Sequence, residues 1–421
     1  MRHNRRRLRA AFLLAAGIPA LWLAAYTAAR MARDHTVAQL RAAAEERDLA
    51  YLFDDATTTL GTIEPVTASL VELAQSWDDD SVYAELSDQA CGTPAIEWPE
   101  EVGRRLVALF EERSQEIALI RAGAPGFRMA APGVTLDSDT LLRCCTAART
   151  LSRVLGLDMA LCVRRGDIDG ALAGYRARVL LSEAVGTYPS LAVQTTRVSL
   201  SNMAFHGFAD TFPAGTLSEA QTRAMVDFLA GRYRRDLFEC AWIGCAAEGV
   251  ANFGPPTPDA ADAFLDWLTA TAPFRPWHYW EEHACAELPL RLVESARAPR
   301  FAMPSEYNAR SPSGLDVMRD MMTFTFRLSQ ASQAEVEASV DLTRIGLLIE
   351  DHHHRHGTYP ERLSALAGDL GGAVPLDPFF GNPYRYRPSE DGFLLYSVGA
   401  NGTDDGGKPD KLKGDWVWRG Q

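Results

Sequence analysis

The chain has 421 residues, of which 47% are hydrophobic and 23% charged. These fractions are typical of a globular protein, and the length predicts two or three domains. The net charge of -13 gives no sign of nucleic-acid binding. The sequence contains no P-loop, no G-x-G-x-x-G and no G-x-S-x-G motif, and we identify no small-molecule substrate from it.

Residues 1–30 have the pattern of a cytoplasmic tip and a membrane anchor. Five arginines lie within the first nine residues, and Ala10–Ala29 is an uncharged apolar segment. About 20 helical residues span the hydrocarbon core of a bilayer, which is about 30 Å thick. We therefore expect one transmembrane helix, with the lipid bilayer as its partner, the N-terminus in the cytoplasm and most of the chain outside it. A cleaved signal peptide is the alternative, because small residues occur at Ala24–Ala28.

Residues 31–297 show helical periodicity and little strand character, which predicts an α-helical domain. The pattern predicts helices at Gln39–Phe53, Thr62–Trp77, Glu100–Arg121, Ser138–Arg165, Ile168–Val185, Ser190–Phe212, Ser218–Ala247, Pro258–Ala270 and Pro276–Ala296. The turn at Gly166–Asp167 is similar to that of a tetratricopeptide-like hairpin, but no fixed repeat period occurs. We therefore expect an irregular arrangement, and a solenoid-like one stays open.

Residues 298–314 are rich in Pro, Ser, Ala and Arg and predict a linker. Residues 315–421 then begin with a long predicted helix, Leu315–His356. Near the end of this region, Phe393–Val398 has the alternation of a strand, and Asn401–Gly402 is a strong turn dipeptide.

The turn is followed by a series of acidic side chains, and the oxygen-bearing residues are Asn401, Asp404, Asp405, Asp410 and Asp415. Hard oxygens on a bendable loop are the ligands that Ca²⁺ prefers. A solvated acidic turn, neutralised by Lys408, Lys411 and Lys413, is the alternative, because the spacing is not that of an EF-hand.

A series of motifs between residues 341 and 418 resembles the C-terminal part of the major pseudopilin of type II secretion systems. The matching pieces, in order, are Gly357-Thr358-Tyr359-Pro360, Asp377-Pro378-Phe379, Gly381-Asn382-Pro383-Tyr384-Arg385-Tyr386, Leu395-Tyr396-Ser397-Val398-Gly399 and Asp415-Trp416-Val417-Trp418. The resemblance implies a small α+β module with a short antiparallel sheet. It also implies a bacterial protein of the inner membrane whose bulk lies in the periplasm.

In that family the closing loop binds a structural calcium ion. Carried over to this sequence, the side-chain ligands are Asp404, Asp405 and Asp415. Asn401 stands where the family often has Asp, and the carbonyl groups of Leu395 and Val398 are further ligands. The Gly and Phe-Thr-x-x-Glu signature of prepilin processing is missing before the apolar segment, which indicates that the chain is not processed into a pseudopilus.

These observations favour a non-enzymatic envelope protein, a scaffold or binding module with protein partners beside a secretion or pilus-like apparatus. An enzyme is the first alternative, with an active site near His278, Glu281, Glu282 and His283. A divergent pseudopilin subunit is the second.

Three further patterns have simpler interpretations. His352 and His356 end a helix, where positive side chains favour the helix dipole, so we interpret them as a cap and not as a metal site. The seven cysteines lie mostly in apolar helical contexts and predict buried thiols, although oxidation of Cys240 with Cys245 stays open. Asp78–Asp80 predicts a solvated turn.

Overall fold

The computed structural model is mostly helical, with a small antiparallel sheet formed by its C-terminal strands, as the sequence predicts. It describes residues 2–53, 59–60, 62–90, 97–130, 134–212, 215–232, 236–252, 287, 290, 317–389, 392–408 and 416–420. The helices are α1 (Arg2–Glu45), α2 (Pro65–Asp78), α3 (Ser81–Ala90), α4 (Glu100–Glu112), α5 (Ser114–Gly123), α6 (Ser138–Arg164), α7 (Ile168–Val185), α8 (Leu191–Thr211), α9 (Glu219–Leu229), α10 (Asp236–Asn252) and α11 (Val317–His356).

The chain forms two compact units, and each is discontinuous in sequence. Unit 1 contains residues 1–58, 239–295 and 304–325, and unit 2 contains residues 59–238, 296–303 and 326–421. This division differs from the predicted one, which separated the middle helices from the C-terminal module. The predicted linker, residues 298–314, lies outside the described residues.

In the described part of unit 1, α1 packs with the second half of α10. Leu40 and Ala246 are fully buried and contact Phe53. Arg47 donates to the carboxylate of Glu239 at 2.6 Å. Side chains are described from residue 23 onwards, so most of the predicted anchor Ala10–Ala29 lies outside this set. Within the set, no helix combines the length and apolarity needed to cross a membrane.

The helices of unit 2 follow the predicted pattern, and caps define several of their ends. Asp137 accepts from the N–H of Thr140 at the start of α6, and Asp167 accepts from the N–H of Gly170 at the start of α7. Between them, Gly166 has a φ of 75°, which glycine adopts without strain. The tight turn predicted at Gly166–Asp167 is therefore confirmed, and α6 and α7 pack as a hairpin.

Two predicted helices are each interrupted. The predicted helix Glu100–Arg121 divides into α4 and α5 at Arg113, whose φ and ψ are -98° and 22°. The Arg113 guanidinium lies 3.9 Å from the ring centroid of Trp77. This packing contact holds Arg113 at the break between α4 and α5. The predicted helix Ser218–Ala247 divides into α9 and α10, and Gly231 has a φ of 71° between them. A short parallel pair, β1 (Thr59–Leu60) with β2 (Val134–Thr135), was not predicted.

The C-terminal sheet consists of β3 (Arg385–Pro388), β4 (Phe393–Ser397) and β5 (Trp416–Gly420). All pairings are antiparallel and β4 lies in the middle. The predicted strand and the short antiparallel sheet are therefore confirmed.

The part of α11 that belongs to unit 2, from residue 326 onwards, lies in the core of that unit. Ile345–Asp351 covers about two turns and all seven residues are buried, so every side of the helix is covered there. One hydrophobic cluster joins Ile345 and Leu348 of α11 to side chains that precede and follow the helix, namely Tyr175, Phe208, Met225, Leu363, Tyr384 and Leu395. The C-terminal segment and the helices α6 to α9 therefore share one core.

Candidate calcium-binding loop

The acidic loop follows β4, and its described part is Val398–Lys408. Four of its glycines have positive φ values, which are 66° at Gly399, 65° at Gly402, 73° at Gly406 and 78° at Gly407. A Cβ atom at Gly402 would lie 2.8 Å from the Phe380 ring, and one at Gly407 would lie 2.8 Å from Leu394. These glycines therefore let the loop backbone lie directly on the side chains beneath it.

Hydrogen bonds from a side chain and from the backbone hold the Asp404 carboxylate in the loop. Its Oδ1 accepts a hydrogen bond of 2.9 Å from the Tyr396 hydroxyl and one of 3.0 Å from the N–H of Gly406. Its Oδ2 lies 3.4 Å from Nε of Arg385. The hydrogen bond from Tyr396, followed by that from Gly406, lowers the pKa of Asp404. The carboxylate therefore stays ionised at neutral pH.

The other predicted ligands lie on the loop or at its base. Asn401 and Asp405 are exposed, and Oδ1 of Asn401 accepts a 3.0 Å hydrogen bond from the N–H of Thr403. Val398 is buried at the end of β4. Leu395 lies inside the central strand, where neighbouring strands take up carbonyl groups, so its carbonyl is the least available of the set. Asp415 lies outside the described residues.

The donor chemistry of the loop fits calcium, because amide and carboxylate oxygens are hard ligands. Asn401, Asp404 and Asp405 bring such oxygens onto one loop, and the Arg385 guanidinium already places a cation at Asp404. In the part of the chain that the structure describes, no group of three or more His, Cys, Asp or Glu side chains has metal-binding geometry. A complete shell therefore requires backbone oxygens, water or Asp415.

Asp377 connects the predicted DPF turn to the base of the loop. It is 2% exposed, and its Oδ2 accepts from the Ser397 hydroxyl at 2.7 Å and from the N–H of Val398 at 3.3 Å. Its Oδ1 accepts from the N–H of Phe379 at 3.0 Å. Burial raises the pKa of Asp377 despite these hydrogen bonds. The carboxyl group therefore holds the end of β4, from which the acidic loop departs.

Two tyrosines of the G-N-P-Y-R-Y motif fasten the sheet to α11 and to the G-T-Y-P turn. The Tyr384 hydroxyl donates to Asp341 at 2.9 Å, and the Tyr386 hydroxyl donates to the carbonyl of Pro360 at 2.8 Å. Burial raises the pKa of Tyr386 to about 12. The sequence shows the motif but does not predict these contacts or the role of Arg385 and Tyr396. These contacts depend on the register of the strands, which the sequence alone does not specify.

The histidine run at the end of α11 acts as a cap, as predicted. The ring Nδ1 of His352 lies 3.0 Å from the carbonyl of Thr358, and Nδ1 of His356 lies 2.9 Å from the carbonyl of His352. The two rings stack at 4.1 Å, and His353 stacks on Tyr359 at 4.3 Å. The rings therefore serve the end of the helix and the turn after it.

The remaining candidates are structural where the chain is described. Cys144, Cys145 and Cys162 are free, buried thiols, whereas Cys240 and Cys245 are half-buried. Burial raises the pKa of Cys144 to about 11, which makes its thiol unreactive. Asp78 and Asp79 are exposed, as a solvated turn predicts, although Asp78 also accepts from the Thr150 hydroxyl at 2.8 Å and Asp80 caps α3. The alternative active site at His278–His283 lies outside the described residues.

No protein-family model matches the chain, and no curated protein or solved structure matches it either.

Proposed function

We propose that this chain is a membrane-anchored, extracytoplasmic scaffold or binding protein whose C-terminal module is stabilised by Ca²⁺. The position of the Asp404 carboxylate supports this proposal most directly. One of its oxygens is fixed by Tyr396 and Gly406, and the other is directed at a cationic group. Asn401 and Asp405 add oxygen-bearing side chains to the same loop.

Calcium bound there stabilises the native state by linkage. The loop joins β4 to β5, and these strands pair with each other, so a cation that draws its oxygens together restrains the closure of the sheet. An ion that binds the folded state alone stabilises it by about 2.7 kcal/mol at 100 times its Kd. Asp415 and the carbonyl of Val398 complete the proposed shell, and the carbonyl of Leu395 is the least favoured member.

The anchor is supported by the continuity of α1. The helix runs unbroken from Arg2 to Glu45 and contains the whole apolar segment Ala10–Ala29. The arginine cluster at its start favours a cytoplasmic N-terminus, which leaves most of the chain in the periplasm of a bacterial cell. N-terminal sequencing of the membrane-extracted protein tests this assignment. An intact start contradicts both a cleaved signal peptide and a processed pseudopilin subunit.

A binding role is favoured over catalysis because three buried acids of unit 2, Asp158, Asp351 and Asp377, serve its packing. Asp158 pairs with Arg121, and Asp351 pairs with Arg223 and Arg355. Asp377 is occupied by hydrogen bonds within its own module. Such contacts stabilise a rigid body that presents surfaces, which is the behaviour expected of a scaffold.

The decisive experiment is a thermal melt of the full chain in detergent, in Ca²⁺ and in chelator. Linkage predicts that saturating calcium raises the Tm by about 5 °C. Asp405→Asn keeps the shape of the side chain and removes one charge, so we expect it to abolish most of that increase.

Asp88→Asn is the matched control, because Asp88 is exposed on α3, outside the loop. This variant should keep the full calcium response. A Tm that does not respond to calcium, or that responds equally in Asp405→Asn, would show the calcium proposal to be wrong.

A further inference from the structure

Arg385 lies at the oxygen through which Asp404 would take a metal ion. Its Nε is 3.4 Å from Oδ2, and the Arg385 and Asp404 side chains are 49% and 40% exposed. Oδ1 already accepts hydrogen bonds from Tyr396 and Gly406. Oδ2 is therefore the oxygen that faces a cation, and that cation is the Arg385 guanidinium.

The pairing of β3 with β4 holds Arg385 in this position. Arg385 lies directly opposite Tyr396 in the ladder. Directly opposed residues in an antiparallel pair project their side chains from the same face. Tyr396 fixes one oxygen of Asp404, and its opposite residue reaches the other. The arginine is therefore placed by the register of the sheet and not by chance contact of two surface chains.

We infer that Arg385 is a built-in competitor of Ca²⁺ at Asp404, and that it sets the calcium affinity of the loop. This inference rests on the proposed function. A coordinated oxygen lies about 2.3–2.6 Å from Ca²⁺, and a guanidinium at the same oxygen would repel the ion. Calcium therefore has to displace the guanidinium, and the lost ion pair weakens binding.

The same arginine protects the loop when calcium is scarce. The guanidinium neutralises Asp404 and links the loop to β3 without any metal. A site weakened in this way fills where calcium is abundant, and extracellular modules bind it with Kd values of about 10⁻⁴–10⁻³ M. The module is then held by an internal ion pair at low calcium and by the metal at high calcium.

The test is a calorimetric titration of Ca²⁺ into the full chain in detergent, compared with Arg385→Gln and Arg387→Gln. Arg387 lies two residues further along β3, so its replacement makes the same change of charge on the same strand. We expect Arg385→Gln to lower the Kd roughly three- to fivefold, which is the size of one exposed ion pair. Arg387→Gln should change the Kd less than about twofold, because it acts only through screened, longer-range repulsion.

Melting of the same variants gives a second readout. In chelator, Arg385→Gln should melt below the unsubstituted protein, because Asp404 has lost its counter-ion. In saturating calcium the difference should shrink or reverse. The inference is overturned if the unsubstituted protein and Arg385→Gln bind Ca²⁺ with equal Kd values. It is also overturned if Arg385→Gln and Arg387→Gln lower the Kd equally. Either result would still be consistent with a calcium site in the loop. If none of the three proteins binds calcium, the proposed function fails with it.

Discussion

The helices and the turns of unit 2 satisfy buried carboxylates in different ways. On α6, Asp158 is 7% exposed and accepts from Nε of Arg121 at 2.8 Å. On α11, Asp351 is 1% exposed and accepts from Arg223 at 3.0 Å. In the turn before β3, Asp377 is equally buried but accepts from a hydroxyl group and two backbone N–H groups.

The difference follows from what each backbone leaves available. Inside a helix the N–H groups are used by the helix itself, so a buried carboxylate there needs a charged side chain from another turn or helix. A turn leaves N–H groups unused, and a carboxylate can collect them. Acids on helices therefore connect distant elements, whereas the acid in the turn organises its own surroundings.

The largest effect is expected where a helix acid is removed. Asp158→Ala leaves the Arg121 guanidinium, whose side chain is 28% exposed, without its buried partner. Breaking such a pair costs about 3 kcal/mol of unfolding free energy, measured by urea denaturation. Replacing both partners, with Asp158→Leu and Arg121→Met, should recover most of the loss. If Asp158→Ala loses less than about 1 kcal/mol of unfolding free energy, buried acids on helices do not depend on a charged partner as we expect.

A smaller effect is expected at the turn acid. Asp377→Ala leaves the Ser397 hydroxyl and the N–H groups of Phe379 and Val398 without their acceptor, and should cost about 2 kcal/mol. Asp88→Ala, on the surface of α3, is the control and should cost less than about 0.5 kcal/mol.

This cost should depend on pH, because burial raises the folded-state pKa of Asp377 above its unfolded value. The folded state then binds the proton more tightly than the unfolded state. The contribution of Asp377 is complete below the unfolded pKa and declines as pH rises through the folded pKa. The difference in unfolding free energy between the unsubstituted protein and Asp377→Ala should therefore shrink as pH increases. A difference that grows with pH would contradict this.

The smallest effect is expected at Glu350, a buried acid of α11 that has no ion pair with an arginine among the described residues. Glu350 on α11 is 9% exposed, and its Oε1 has no hydrogen-bond partner in the part of the chain that the structure describes. Burial raises the pKa of Glu350, and His354 opposes the shift. Because the charged form is the costly one, Glu350→Gln should stabilise the fold by about 1 kcal/mol at pH 7.

The advantage of Glu350→Gln should disappear as pH falls below the unfolded pKa of the carboxyl group, where both states of the unsubstituted protein are protonated. Thermal melts across pH 4–8 measure it. A destabilising effect at pH 7 would show that Glu350 has a partner of the kind found at Asp158 and Asp351.

Local sequence patterns predicted where most of the helices begin and end, but they did not predict how the helices pack against one another. The bounds of α7 agree with the prediction Ile168–Val185, and α6 differs by one residue at its end. Caps and turns are local, so the sequence shows them. The break at Arg113 was missed because it depends on packing against Trp77, and the apolar phase continues across it. The shared core of α11 and the earlier helices was missed because it is formed by residues far apart in sequence.

The candidate site shows the same limit. The acidic loop was visible in the sequence because Asp404 and Asp405 are adjacent and glycines surround them. The partners of Asp404 were not visible. Arg385 and Tyr396 become neighbours only through the register of β3 with β4, which a single sequence does not specify. Their identification required the three-dimensional structure.

The covered position of α11 has a consequence for the biogenesis of the protein. Its apolar flanks are closed by helices made earlier and by segments made later, including Leu363, Tyr384 and Leu395. A nascent chain that has emerged only as far as α11 therefore carries one flank bare, which is the kind of surface that chaperones and proteases recognise. A premature stop after α11 should consequently be as damaging as one in the middle of the chain. Completion of the core of unit 2 therefore waits for the segments that follow α11.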